Sequence, residues 1–371
     1  MTQATFKPMP QPADYLRHEA DAAIKLGLRP GVLLVLLAVL VGVFLLALAA
    51  GSVRIPLDQI VTVLLGGEAE RASWTNIILK VRLPRALAAM LAGAALGVGG
   101  LMMQTYFRNP LADPFVLGIS SGASLGVALV VLSVGTAGGL LLAGLGLMGD
   151  LALAGAAAAG AALTMVLVLS TAARVRGSLA LLLLGLMLGY LVSAAVSLLL
   201  YFSIPERIQA YVNWTFGSFS GVTWEQMPIL AGGVMSGLLA AFALTKPLNA
   251  LLLGENYART LGVPLRSVRL MIMLAAALLA GTVTAFCGPI SFIGMAVPHV
   301  CRGLLQSSDH RLLMPAVALL GAIMALAASV VAEVPGSSIV LPLNAVTALL
   351  GAPVVIWVLL RQRGAGRAFI V

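Results

Sequence analysis

"VLLVLLAVLVGVFLLALAA", from Val32 to Ala50, carries no charged or hydrogen-bonding side chain from end to end. A helix needs about 20 apolar residues, at 1.5 Å each, to cross a hydrocarbon core of roughly 30 Å, so this run reads as a membrane span. The rest of the chain agrees. Its 371 residues include 22 Lys and Arg, 13 Asp and Glu and 61% hydrophobic side chains, leaving only 9% charged. A soluble domain is about 25% charged and about 45–50% apolar, and the mean hydropathy of +1.07 lies far from that class. Water is not the main solvent of this protein. Soluble enzymes, nucleic-acid binders and disordered chains are excluded, and nucleic acid is not an expected partner.

Dividing the chain at its charges predicts an all-α, polytopic membrane protein of about ten spans. A polar tail, residues 1–31, precedes the first span and contains Pro8, Pro10, Pro12 and Pro30. It lacks the pattern of a cleaved secretory leader, so the first span is expected to remain as an anchor. Ser52 to Arg82 carries Asp58, Glu68, Glu70 and Arg71 and reads as an excursion outside the membrane, with a short helix after Pro56. The second span is Leu83 to about Thr105. Uncharged stretches between Asp113, Asp150 and Arg174 hold the third and fourth, joined by a glycine-rich turn near Gly135 to Gly139. Gly177 to Pro205 supplies the fifth and Met227 to Thr245 the sixth. Leu270 to Cys301 is uncharged but interrupted by Gly288 and Pro289, which predicts two short helices, the seventh and eighth. The ninth is Leu312 to Ala332 and the tenth about Pro342 to Leu360, before a short tail, residues 362–371. Cys287 and Cys301 are too far apart along one helix for a disulfide, and both read as small buried residues.

Basic residues give an independent check, because cytoplasmic loops hold the excess of Lys and Arg. With both termini cytoplasmic, sixteen of the 22 basic residues fall on the inner side. The other six are Arg54, Arg71, Lys80, Arg82, Arg85 and Arg207. A miscount of one helix in the middle would reverse every later loop. Stretches such as "LAGAALGVGG" (Leu91 to Gly100) and "LAGAAAAGAAL" (Leu153 to Leu163) let helix backbones approach closely, which predicts a compact bundle.

Chemistry-bearing patterns are few. Ionisable groups inside a membrane mark ion or proton paths, and on these boundaries Asp150 and Glu333 lie at helix ends while Asp58, Glu206 and Glu225 lie outside or at the interface. That weakens a proton- or sodium-coupled carrier. The histidines are His18, His299 and His310, with no HExxH pair and no carboxylate cluster, so neither a metal site nor a cofactor is expected. A phosphate-binding loop needs Gly immediately before Lys, and none of Lys7, Lys25, Lys80 and Lys246 follows Gly. Energy must come from another subunit or from a gradient, and the chain is not expected to be an enzyme. The loop "KPLNALLLGENYARTLGVPLRSVR" (Lys246 to Arg269) predicts two short helices between glycines, held at the inner face by Arg259, Arg266 and Arg269. It reads either as a docking surface for a cytosolic partner or as an ordinary interfacial loop.

Five stretches carry a resemblance: "VRLPRALAAMLAGAALGVGGLMMQTYFRNPLADPFVLGISSGASLG" (Val81 to Gly126), "LLGENYARTLGV" (Leu252 to Val263), "GPISFIGMAVPHVCR" (Gly288 to Arg302), "SSDHRLLMPAVALLGA" (Ser307 to Ala322) and "LPLNAVTALLGAPVVIWVLLR" (Leu341 to Arg361). Together they resemble, in order, the permease subunits of type II ABC importers for iron-siderophores, haem and cobalamin. The resemblance implies a permease domain over residues 32–361 in the inner (plasma) membrane. It also implies a second permease copy, two cytosolic ATP-binding subunits and a periplasmic or lipid-anchored substrate-binding protein. Iron-siderophore is the first expected cargo, then haem, then cobalamin; a gradient-driven secondary transporter is the alternative.

The resemblance places ATPase coupling in the loop of residues 246–269, at Gly254, Glu255, Ala258, Leu261 and Gly262. It places binding-protein docking at Arg82 and Arg85, which otherwise read as interfacial snorkelling residues, and at Glu333, an acid where the family commonly has a base. It makes the fifth span a wall of the translocation path. There Gly185, Gly189, Tyr190 and Ser193 fall roughly on one face, for which helix packing is an equally good reading.

Overall fold

A computed structural model describes residues 12–133, 147–172, 178–333 and 339–364. The expected turn at Gly135 to Gly139 and the extreme ends of both tails lie outside the described residues. Six helices are long and apolar enough to cross a membrane: Gly31–Ala49, Ala72–Phe107, Leu151–Thr171, Leu183–Tyr201, Leu265–Cys287 and His310–Ala332. A further apolar helix of crossing character, Met227–Ala243, bends by 52° into Thr245–Leu252. Shorter apolar helices occupy Ile119–Leu132, Ile293–Leu305 and Leu343–Val358. Each expected span coincides with one of these.

Helix α1 runs Pro12–Ala49, starting well ahead of the apolar run. Proline suits a first helical turn, and the Ala, Glu, Lys and Leu that follow are good helix formers. The excursion contains α2 (Leu57–Leu64), α3 (Ala72–Asn76) and a π-helical turn (Ile77–Arg82) that leads into α4 (Leu83–Phe107). A 3₁₀ turn (Pro114–Leu117) precedes α5 (Ile119–Ser133), then come α6 (Leu147–Ala172) and α7 (Ser178–Tyr201). An amphipathic helix, α8 (Pro205–Thr215), lies between α7 and α9 (Met227–Ala243). At the far end of α9 sit α10 (Thr245–Leu252) and α11 (Glu255–Thr260), followed by α12 (Leu265–Cys287), α13 (Ile293–Leu305), α14 (His310–Ala332) and α15 (Leu343–Gly364).

The seventh and eighth spans differ from expectation. Only α13 is short: α12 is a full 23-residue helix because Arg266 and Arg269 lie inside its first turns instead of ending it. The break between them uses two left-handed residues, Gly288 (φ 72°) and Phe292 (φ 69°). Cys287 and Cys301 are free and buried, as expected.

Helix α4 is the axis of the bundle. It is buried along nearly its whole length and packs against α9, α12, α13 and α14. Glycines set these crossings. A Cβ on Gly93 would fall inside the backbone carbonyl of Gly321 on α14, and one on Gly100 inside that of Gly294 on α13. On the other side of the bundle α5 and α6 meet through Gly122, Gly126 and Gly160 in the same way. Helix α7 is the least covered of the long spans, with only 11% of its apolar window buried.

Candidate functional site

The last turn of α4 turns polar after an apolar span: Gln104, Thr105, Tyr106, Phe107, Arg108. Arg108 adopts the left-handed conformation (φ 48°), and Asn109 precedes proline, a position that disfavours helix. The turn beyond is held by Asn109 Oδ1, which accepts from the Leu111 N–H at 3.0 Å, and by Asp113 Oδ1, which accepts from the Phe115 N–H at 3.0 Å.

These polar side chains reach every helix that gathers at this end. Gln104 Nε2 donates to the carbonyls of Gly294 and Met295 at 3.3 and 3.1 Å, while Arg302 Nη1 donates to Gln104 Oε1 at 2.7 Å, so α13 is gripped twice. Thr105 Oγ1 meets His310 Nε2 at 2.9 Å, and the other ring nitrogen of His310 lies 2.7 Å from Asn249 Oδ1 on α10. Asn249 Nδ2 in turn donates to Asp309 Oδ1 at 2.7 Å. Arg108 Nη2 donates to the Leu251 carbonyl at 3.2 Å. The Arg269 guanidinium of α12 lies 5.8 Å from the Tyr106 ring centre and 3.8 Å from Glu255. Buried hydrogen bonds of this kind fix geometry because breaking one strands its partner. The α10–α11 pair is therefore tied directly to α4, α12 and α14, and to α13 only through α4.

Each residue expected in that loop has a distinct place. Gly254 joins the two short helices with φ 115° and ψ 148°, a conformation that side chains resist. Gly262 (φ 78°) ends α11 in a Schellman arrangement, its own N–H donating to Arg259 and that of Val263 to Ala258. Ala258 is fully buried and anchors α11, and Glu255 faces Arg269. Leu261 is 58% exposed, in line with Leu253 at 56% and Tyr257 at 51%. Tyr257 and Leu261, four residues apart, share one side of α11, and Leu253, across the Gly254 break, borders the same hollow as Tyr257, so the three make an interrupted apolar stripe open to the outside. Leu253 and Tyr257 went unrecognised in the sequence, as did Gln104, Thr105, Tyr106 and Arg108. The available signal was the abrupt polar ending of an otherwise apolar span.

Asp113 lies in the turn beyond α4, which folds back into the bundle, so that its carboxyl is buried against Gly294 of α13 and the middle of α4.

At the opposite end Arg82, Arg85 and Glu333 are engaged within the chain. Arg82 is buried and donates to the carbonyls of Leu48 and Ala49, at 2.6 and 3.0 Å, and to that of Val53. It caps the C-terminus of α1, satisfying carbonyls that a helix end leaves unpaired. Arg85 and Glu333 form an ion pair with side chains mostly shielded from solvent, tying α4 to the end of α14. Arg82→Ala is expected to cost roughly 2–4 kcal/mol, because three carbonyls lose a charged donor. A melting temperature within a degree of wild type would remove that role.

The four residues on α7 do not share a face. Gly185 is buried against Gly118, and Gly189 lies near Ser121 of α5. Tyr190, 65% exposed, and Ser193 point away from the bundle. Packing accounts for the two glycines and leaves the other two on the uncovered side. Among the described residues no group of three or more His, Cys, Asp or Glu side chains could hold a metal ion.

Comparison with known proteins places this geometry in a family. Residues 33–361 match the FecCD transport family model. The vitamin B12 import system permease protein BtuC of Klebsiella pneumoniae subsp. pneumoniae is 39% identical over 322 residues, 87% of this chain and 91% of the relative. BtuC of Salmonella typhi is 40% identical over 285 residues, 77% of this chain and 84% of the relative. A solved chain from a transporter described as of metal-chelate ABC type, in an inward-facing conformation, superposes with a TM-score of 0.77 at 30% identity, covering 90% of this chain and 99% of its own.

Proposed function

Because the chain belongs to the FecCD transport family, we propose that it is the membrane-spanning permease of an ATP-driven importer for a metal chelate, with ATP hydrolysed in separate subunits. It is a multi-pass protein of the inner membrane. The observation that carries the mechanism is the exposed stripe of Leu253, Tyr257 and Leu261, presented by two short helices that are bolted through α4 to the rest of the bundle. Apolar side chains on a rigid helical edge suit a partner that must push as well as bind. Two cytosolic ATP-binding subunits would seat there, one on each of two permease copies. Gly254, Glu255, Ala258, Leu261 and Gly262 then act together: the glycines set the angle, Ala258 and Glu255 hold α11 to the bundle, and Leu261 meets the partner. Rigid-body motion of this loop would tilt α9 and α12, which flank it, giving alternating access. This orientation makes the α10–α11 end, and both termini, cytoplasmic.

On the cargo, the vitamin B12 permeases at 39–40% identity move cobalamin ahead of iron-siderophore and haem. The second permease copy would cover α7, with Tyr190 and Ser193 lining the path between copies. Docking of a substrate-binding protein would fall on the opposite end, where Arg85 and Glu333 compensate one another. Glu333→Arg is expected to free two like charges and weaken a docking protein that carries bases, and Arg85→Glu in the same chain should restore most of it. Identical binding in all three forms would place docking elsewhere.

Uptake competition tests the cargo. Excess unlabelled cobalamin should abolish uptake of labelled cobalamin by cells expressing the chain with its partners, and a ferric hydroxamate should not compete. The reverse result would replace the substrate and leave the permease assignment standing.

A further inference from the structure

Helices α6, α9 and α12 enclose an apolar cleft of about 710 Å³, within the ~300–1,000 Å³ range of sites that hold a small molecule. Its walls include Gly155, Ala158 and Ala162 of α6 and Leu274 and Leu278 of α12, and its lips are the exposed Val166 and Ile229. At the α8 end the cleft runs into a second pocket of about 160 Å³, the two sharing Ala154, Ala285 and Phe286. That second pocket is different in kind, lined by Asn213, Trp214, Ser218 and Gln226. Gln226 is only 3% exposed, does not cap α9 and makes no side-chain hydrogen bond among the described residues, and it lines this pocket. A polar ligand there could complete hydrogen bonds that the protein leaves open.

The geometry points to a phospholipid site, with an acyl chain in the cleft between α6, α9 and α12 and a zwitterionic headgroup against Gln226 and Asn213. Three features select this occupant. The cleft lies along membrane-spanning helices and, Thr282 aside, is lined by apolar residues and glycine, as a chain requires. Its polar end sits beside Trp214, a residue type that settles at the headgroup level of a bilayer. No Lys, Arg, Asp or Glu lines either pocket among the described residues. An anionic headgroup would thus be buried without a counter-charge, whereas amides can both donate to a phosphate and accept from an ammonium.

The test uses the full chain reconstituted in mixed phosphatidylethanolamine and phosphatidylglycerol vesicles, re-extracted, washed in detergent and weighed with its retained lipid by mass spectrometry. Nothing lies within 4 Å of a Cβ built on Gly155, so the side chain of Gly155→Leu starts into the open cleft. With the acyl chain's volume taken up, Gly155→Leu is expected to retain less phosphatidylethanolamine than wild type through the washes, by lost packing contact and not by transfer from water. Gly42→Leu, on the exposed face of α1 and equally free of neighbours, should leave it unchanged. Gln226→Leu should bring the ratio of the two retained lipids to that of the vesicle. A photo-crosslinker at Val166 in the otherwise unaltered chain should capture lipid. Equal retention by Gly155→Leu and wild type, an equal loss in Gly42→Leu, or capture of a second copy of the chain at Val166 would each overturn the assignment.

Discussion

Gly93→Leu is expected to leave little folded protein. Gly93 of α4 and Gly321 of α14 face each other so closely that a Cβ on either would fall inside the other's backbone carbonyl. Neither backbone is a flexible tip that can swing away, so α4 and α14 must separate. Between membrane helices no hydrophobic effect replaces the lost contact, since lipid tails are as apolar as the side chains; association rests on close packing itself. Overpacking costs about 1–3 kcal/mol even when the surroundings can yield. Here the helix that must shift is the axis against which α9, α12, α13 and α14 are packed. A loss above about 3 kcal/mol from a total of about 5–15 kcal/mol is expected. The measurement is the fraction of monodisperse protein after extraction together with the temperature of inactivation. Gly42→Leu, which meets nothing, sets the baseline. If the two variants behave alike, α4 is not the packing axis.

The second large effect lies at the α10–α11 end. Replacing Tyr257 and Leu261 by Asp puts charge onto the exposed stripe without touching the buried anchor Ala258. Anchor residues at an interface are worth about 2 kcal/mol or more each, so the double variant is expected to lower affinity for the ATP-binding subunit roughly a thousandfold and to abolish uptake with it. Arg108→Ala separates docking from transmission. It removes the guanidinium's bond to the Leu251 carbonyl and, although Arg108 borders the same hollow as Leu253 and Tyr257, it leaves the apolar side chains of the stripe in place. The ATPase should still bind, while molecules imported per ATP hydrolysed should fall. Unchanged ATPase binding in the Asp variant would place the docking surface elsewhere, and an unchanged transport ratio in Arg108→Ala would show that the loop moves independently of α4.

Much of this architecture was legible in the sequence because membrane burial writes itself as uninterrupted apolar length. Val32 to Ala50 could be nothing but a span, and Gly254 and Gly262 marked their turns because both take left-handed or otherwise glycine-specific backbone angles. What could not be read was direction of side chains. Arg82 and Arg85 share spacing and charge, yet one caps α1 and the other pairs with Glu333, partners distant in sequence. Gly185, Gly189, Tyr190 and Ser193 fall within one broad arc of a helix, but the arc straddles the edge between the α5 contact and the uncovered side. Arg266 and Arg269 look like a span boundary and are inside α12, because a cation in the first turns of a helix can reach polar partners at the surface. The polar cluster around Gln104 was invisible for the same reason: its partners Gly294, Arg302, Asn249 and His310 come together only in the folded bundle.

The central claim is that the energy for transport enters through the α10–α11 loop from a separate ATPase. Proteoliposomes containing this chain, its ATP-binding subunit and its binding protein test it most directly, with labelled cobalamin supplied to the binding-protein side. Uptake that requires ATP and the ATPase subunit, and persists when an ionophore collapses all ion gradients, is the expected result. Uptake that continues without the ATPase subunit and disappears with the ionophore would contradict the account.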